Sequence, residues 1–424
     1  MRSQAVILGS DPAPSLRVDR HPSPFSDVPL DALLAVARRD NPKRALLLVN
    51  KVLGKHLNVA PTMAVAAGAA LGELVAASIA DGCEQRAISS LHAALRSGQA
   101  PTELVEAART GPAAVVISFA ETATAIGHLV RRALGPGPMA HTTRVISSDG
   151  ALFAFSEEHS HAVQHRLFHD DPCVLDLSVP VVLVDDELTT GRTAMNTIVA
   201  IQGVAPRRRY IIAVYVDLRG EIDRDALAEF ATLHELEIEV VSLVSGAATV
   251  VEPDETPCSR VAVAEPVAGL DGTVGVIELT IGARPTARRG WTVEEQHLVE
   301  PAAKQAASVL EDHRSGPTAL VLGTEELMFV PILVGSYLSG SVLVRSTTRS
   351  PILVSPEPGY PIVDGVQYPA TDGTSGPRYL YNLRQDEADD VFLFCEDLDA
   401  YRRSDLVGAL TARHDRVHLV HVVA

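Results

Sequence analysis

The sequence predicts an α/β protein, a doubly wound and mostly parallel sheet followed by a second, duplicated and degenerate α/β domain. Two observations carry this. Apolar runs of strand length alternate with longer helical patterns between Arg44 and about Val244, and the alternation restarts at Gly316 and continues to the end. The two regions also match each other. GPAAVVISFAETATAIGHLVRRALGPGPMAHTTR (Gly111 to Arg144) and GPTALVLGTEELMFVPILVGSYLSGSVLVRSTTR (Gly316 to Arg349) are equal in length, begin with Gly-Pro, carry Glu121 and Glu326 at one offset and end in Thr-Thr-Arg. VVLVDDELTTGR (181–192) lies against VFLFCEDLDAYR (391–402) in the same order. Shared composition bias is the plainer explanation of such a match; two matches in one order favour duplication.

In chain order, residues 1–40 are broken by Pro and Asp and read as a lead-in ending in a short helix at Asp31 to Arg38. The first domain, 41–244, contains Val59 to Ala80, an Ala-rich stretch with Glu73 and breaks at Pro61, Gly68 and Gly72, expected as a buried helix rather than a membrane span. AAVVISF then reads as a strand before the helix ATAIGHLVRRAL, VVLV before TAMNTIVAI, and YIIAVYV before a helix near Asp225 to His234. Residues 245–315 form a linker with an edge strand, TVGVIELTI, and a helix opened by Thr292 with Glu295 three residues on, the capping-box spacing. The second domain spans 316–424.

Composition narrows the function classes. The chain has 424 residues, 46% apolar and 4% aromatic, and a net charge of -17. Few aromatics argue against a single-strand nucleic-acid binder, and the acidic excess argues against broad contact with phosphate backbones or anionic membranes. Any phosphate must therefore be held locally. Cys83, Cys173, Cys258 and Cys395 have neither metal spacing nor a disulfide framework, and the first residues offer no secretory apolar core, so a cytoplasmic protein is expected.

The densest chemistry lies in VVLVDDELTTGRTAMNTI (Val181 to Ile198). A parallel strand delivers the residues at its carboxyl end into the ligand crevice, so Asp185 and Asp186 are expected there. Paired carboxylates accept hydrogen bonds from a vicinal diol and can hold magnesium directly or through water. Thr189, Thr190, Gly191, Arg192 and Thr193 then turn into a helix N-terminus, an anion cradle of backbone N–H groups and hydroxyls. Diol clamp and phosphate cradle together describe a seat for ribose 5-phosphate; a solvated acidic loop is the bland alternative.

This stretch resembles the signature of type I phosphoribosyltransferases, and with HTTR, EEHSHA, NKVLGKH, GTEELM and TTRSP the chain resembles a bacterial family whose C-terminal part is named for a Thr-Arg-Ser-Pro motif, here Thr348-Arg349-Ser350-Pro351. The resemblance implies magnesium-dependent transfer of ribose 5-phosphate from phosphoribosyl pyrophosphate to a base-like small-molecule acceptor, in building a nucleoside-like molecule. It implies a pyrophosphate loop at Phe119, Ala120, Glu121 and Thr122, with Arg144 as a fixed cation or else a surface ion pair. It places a catalytic lid over Glu157, His159 and His161, with Arg166 close by. Zinc held by His161, His165 and His169 at four-residue spacing is the competing reading of that interval. Lys51, Lys55 and His56 would form a hood at the acceptor site, against the alternative of solvated lysines. Family members occur in tellurite-resistance and stress gene clusters, so stress-cluster enzymes and a second copy of the chain are the protein partners it admits. Pyrophosphorolysis of a nucleotide, and a non-catalytic sensor of phosphoribosyl pyrophosphate, are the alternative functions. In the C-terminal copy Cys395 and Glu396 replace the acid pair and Asp399-Ala400-Tyr401 replaces the threonine loop, so that copy should not hold a sugar phosphate in this way; its Arg349 and Gly323-Thr324-Glu325-Glu326 loop would bind a different ligand or cap the first domain's site.

Overall fold

The structure, a computed structural model, describes all residues except 1–4, 10–13, 42–44, 81–84, 109, 146–149, 157–163, 176–177, 252–256, 265–272 and 373. In chain order the first half comprises β1 (Ala5–Leu8), β2 (Ser15–His21), β3 (Leu34–Arg38), β4 (Leu46–Asn50), α1 (Pro61–Ile79), α2 (Arg86–Ser97), β5 (Val115–Ser118), α3 (Thr124–Leu134), β6 (Met139–His141), β7 (Phe153–Ser156), β8 (Gln164–Leu167), β9 (Val181–Leu188), α4 (Arg192–Val204), β10 (Arg209–Asp217), α5 (Glu221–Leu233) and β11 (Glu237–Val251). The second half comprises β12 (Ala262–Val263), β13 (Thr273–Thr280), α6 (Val293–His313), β14 (Thr318–Gly323), α7 (Phe329–Gly335), β15 (Ser341–Ser346), β16 (Gly365–Pro369), β17 (Pro377–Tyr381), β18 (Asp390–Cys395), α8 (Leu398–Arg402), α9 (Asp405–Thr411) and β19 (Arg416–Val423).

The first sheet has the order β1-β2-β11-β10-β9-β5-β6, parallel from β11 to β6 and antiparallel at the β1 and β2 edge. The second has the order β13-β19-β18-β14-β15 and is parallel throughout. Laying β11-β10-β9-β5-β6 on β13-β19-β18-β14-β15 matches strand for strand, except that the outermost strand closes the chain order in one half and opens it in the other. Each half also carries an antiparallel hairpin, β7-β8 or β16-β17, between equivalent strands. Loop bonds repeat as well. Thr142 N–H donates to Ser118 O and Thr347 N–H to Gly323 O; the Ala120 N–H donates to the Thr142 hydroxyl and the Glu325 N–H to the Thr347 hydroxyl, both at 2.9 Å. Recurrence of order, hairpin and bonds is what internal duplication produces.

Several expectations are corrected. The lead-in supplies β1 and β2, which extend the main sheet by pairing with β11. The helix expected at Asp31 to Arg38 is a single 3-10 turn at Leu30–Ala32 followed by β3, because the run from Leu34 pairs antiparallel with β4. The interval 245–315 is more than a linker: β11 continues to Val251, β13 is a strand of the second sheet and α6 packs beside α7. Gly68 and Gly72 do not break α1. They lie against α3, where a Cβ on Gly68 would stand 2.3 Å from Leu129 Cβ and one on Gly72 2.5 Å from Ala133 Cβ. At Thr292 the expected capping box forms, both of its bonds being present.

α1 is long and apolar enough to cross a membrane by length and composition, yet most of it is buried within the protein. One apolar cluster joins Val182 and Ile211 of the first sheet to Val321 and Phe392 of the second, through α1, α3, α6 and α7. The two sheets therefore share a core.

Candidate active site

In β9, Val182 and Val184 pack into that shared core while Val181 and Leu183 pack into a second cluster on the other face, as strand alternation requires. The strand continues through the acid pair to Leu188, so Asp185 and Asp186 are half-buried members of the strand rather than loop residues. Ser118 of β5 is in register with Val184 and the Phe119 N–H donates to Val184 O at 3.1 Å. The loop after β5 and the acid pair of β9 thus lie side by side at the carboxyl end of the sheet. Burial and then the charge of Asp186 lift the Asp185 carboxyl well above the usual range; burial also lifts Asp186, opposed by its hydrogen bond with Asp185. Such a pair is primed to bind a cation or hydroxyl donors, either of which relieves the repulsion.

Both acids line one solvent-open crevice. Thr189, Thr190, Gly191, Arg192 and Thr193 form its next wall. Gly191 has φ +79°, and a Cβ there would meet nothing closer than Arg219 Cδ at 3.9 Å, so conformation rather than space requires glycine. α4, a 13-residue helix, opens at Arg192, whose N–H donates to the Thr190 hydroxyl at 3.4 Å, so its first turn faces the loop.

Phe119, Ala120, Glu121 and Thr122 form the opposite wall, and Arg144 joins it with a buried Nε that has no hydrogen-bond partner among the described residues. His165 also lines the crevice; it stacks on Phe155 with centroids 5.1 Å apart and lies 3.2 Å from the Thr142 hydroxyl. The acidic chain thus gathers Arg39, Arg144, Arg192 and Arg349 around Glu121, Asp185, Asp186 and Glu187. Counted formally, four cations face four carboxylates, unlike the acidic excess of the chain as a whole, and with the Asp185 carboxyl held high an anion can be held here.

Other expected site residues lie elsewhere. Lys51, Lys55 and His56 do not line the crevice. Lys55 is 1% exposed, its ammonium 2.5 Å from Glu121 and donating to Glu325 O at 2.8 Å, and burial lowers its pKa against the pull of Glu121. His56 is buried and neutral, its pKa lowered to about 3 by burial and by Lys55. The apolar run before these residues carries Lys55 and His56 into the protein interior, while Lys51 is half-buried. Glu157, His159 and His161 lie outside the described residues. The zinc alternative loses its basis, because His165 belongs to strand β8 and His169 to the loop beyond it, so helical spacing does not apply. Among the described residues no group of three or more His, Cys, Asp or Glu side chains is placed to hold a metal.

Sequence reasoning missed Arg39 and Asn41, which line the crevice, and for Arg349 it left a cap on the first domain's site as one of two alternatives; Thr348 to Pro351 line the crevice. The two pieces arrive together: the Asp40 N–H donates to Pro351 O and the Leu353 N–H to Arg38 O, both at 2.8 Å. Nothing in residues 34–41 signals this, since it depends on a pairing across the whole chain.

A family profile described as phosphoribosyl transferase matches residues 33–247, and one described as the TRSP domain C-terminal to it matches 285–410. No curated protein matches the chain. Among solved structures, adenine phosphoribosyl transferase from Trypanosoma brucei, in complex with AMP, pyrophosphate and ribose-5-phosphate, is similar at 12% identity and TM-score 0.23, over 33% of this chain and 57% of that one. Adenine phosphoribosyltransferase from Thermoanaerobacter pseudethanolicus is similar at 15% identity and TM-score 0.20, over 31% of this chain and 70% of that one.

Proposed function

This chain belongs to the phosphoribosyl transferase family with a C-terminal TRSP domain, and from that premise we propose that it transfers ribose 5-phosphate from phosphoribosyl pyrophosphate to a base-like small-molecule acceptor. The observation that carries the proposal is the meeting of three parts at one crevice: the acid pair, the Thr189 to Thr193 turn and the Phe119 to Thr122 loop.

In this reading Asp185 and Asp186 accept hydrogen bonds from the 2- and 3-hydroxyls of the ribose. The Thr189 to Thr193 turn and the amino end of α4 hold the 5-phosphate. Loop 119–122 and Arg144 hold the pyrophosphate as it leaves, and the carboxylates lie beside the positive charge that develops at the anomeric carbon. The chain's contribution is geometry and electrostatics, with little covalent work of its own. The carboxylates of Asp185 and Asp186 suit magnesium, an oxygen-seeking ion that they would hold directly or through water; when bound it would neutralise charge on the leaving group.

Isothermal titration with phosphoribosyl pyrophosphate and magnesium tests this. The double variant Asp185→Asn/Asp186→Asn should lose about 100-fold or more in affinity. Glu396→Gln, altering a residue that pairs with Arg288 at 3.1 Å outside this crevice, should bind as the wild type does. Equal weakening by both variants would refute the assignment of the site to the first half.

A further inference from the structure

Four residues of the C-terminal half, Thr348 to Pro351, line the crevice of the first half. Their path is fixed by backbone pairing: Thr348 exchanges two hydrogen bonds with Tyr379, and Pro351 O accepts from Asp40. Arg349 is 17% exposed, and its guanidinium stands among three carboxylates, 2.6 Å from Asp372, 3.2 Å from Glu325 and 3.4 Å from Glu121.

Each of those carboxylates has a second cation. Lys55 is 2.5 Å from Glu121, while the buried Arg378 is 2.7 Å from Glu325 and 2.9 Å from Asp372. None depends on Arg349 alone, so the guanidinium can turn away without leaving a buried carboxylate uncompensated, the usual cost of breaking such a pair. Glu121 belongs to the loop assigned to the pyrophosphate, which puts Arg349 at that end of the crevice. Its counterpart in the duplication, Arg144, lines the same crevice from the first half.

We propose that Arg349 is an anion-binding residue of the first half's site, exchanging Glu121 and Asp372 for oxygens of the pyrophosphate group, so that the C-terminal half completes the site. A planar guanidinium meets two phosphate oxygens at once and is suited to this exchange. The inference rests on the proposed function but predicts something separate: ribose 5-phosphate, which lacks the pyrophosphate, should not sense Arg349.

The test is calorimetric titration of the full chain with inorganic pyrophosphate, phosphoribosyl pyrophosphate and ribose 5-phosphate, each with magnesium, in wild type, Arg349→Lys and Arg349→Met. Arg349→Met should weaken both pyrophosphate-bearing ligands about 10- to 100-fold and Arg349→Lys less, with ribose 5-phosphate unchanged within about twofold. Unchanged pyrophosphate affinity overturns the inference. So does equal loss of all three ligands in both variants, since Arg349 would then be holding the structure. Should Asp185→Asn/Asp186→Asn retain full ribose 5-phosphate affinity, it is the proposed function that fails, whatever Arg349 does.

Discussion

Asp185 combines a role in binding with a cost in stability. A carboxyl whose pKa lies higher in the folded than in the unfolded chain is penalised once pH rises past the unfolded value, and the penalty is complete above the folded one. Asp185 is such a group, held high by burial and by Asp186. Asp185→Asn should therefore stabilise the unliganded protein by about 1 kcal/mol at neutral pH, the scale found when strained functional sites are relaxed. The gain should fade as pH falls below the ordinary aspartate range, where the carboxyl is protonated in the folded and the unfolded chain alike. Urea denaturation at neutral and acidic pH reads this directly, and an unchanged or lowered midpoint at neutral pH would contradict it.

Helix pairing makes identical glycine substitutions differ in sign. Gly68 lets α1 approach α3 so closely that an added Cβ would sit 2.3 Å from Leu129 Cβ, whereas Gly203 near the end of α4 has nothing within 4 Å of that position. Gly203→Ala should gain up to about 1 kcal/mol from helix propensity alone. Gly68→Ala has the same propensity gain but must push two packed helices apart, and should lose about 1–3 kcal/mol. Thermal unfolding of the two variants side by side separates packing from propensity; a shared sign would mean that the α1 and α3 contact is looser than its geometry indicates.

The two halves are tied as one body. Besides the shared apolar cluster, Arg132 of α3 pairs with Glu300 of α6 at 2.9 Å, and the buried Arg345 bonds both Asp386 and Asn58. Trp291, the single tryptophan, lies between them: its backbone N–H donates to Met139 O of the first sheet's edge, and its ring is 4.3 Å from His128 and 5.9 Å from Phe329 of α7. Unfolding should be a single cooperative transition, with tryptophan fluorescence and far-ultraviolet dichroism superimposing across a urea titration. Two resolved steps, or fluorescence lost well before dichroism, would show halves that fold independently.

The sequence by itself determined what depends on neighbours along the chain. Strand β9 with its acids, the glycine turn into α4, the capping box at Thr292 and the repeated Gly-Pro to Thr-Thr-Arg segments were all legible, because period, turn chemistry and local charge reside in short runs of residues. Tertiary structure alone decided where the lysines of the expected hood lie, that β3 is a strand, and that Arg39 and Arg349 share a crevice with Asp185. Those outcomes come from backbone pairing, of β3 with the neighbouring β4 and of Arg38 to Asp40 with Pro351 to Leu353 across the chain, and from burial of charge against charge, and none of these leaves a trace in local spacing.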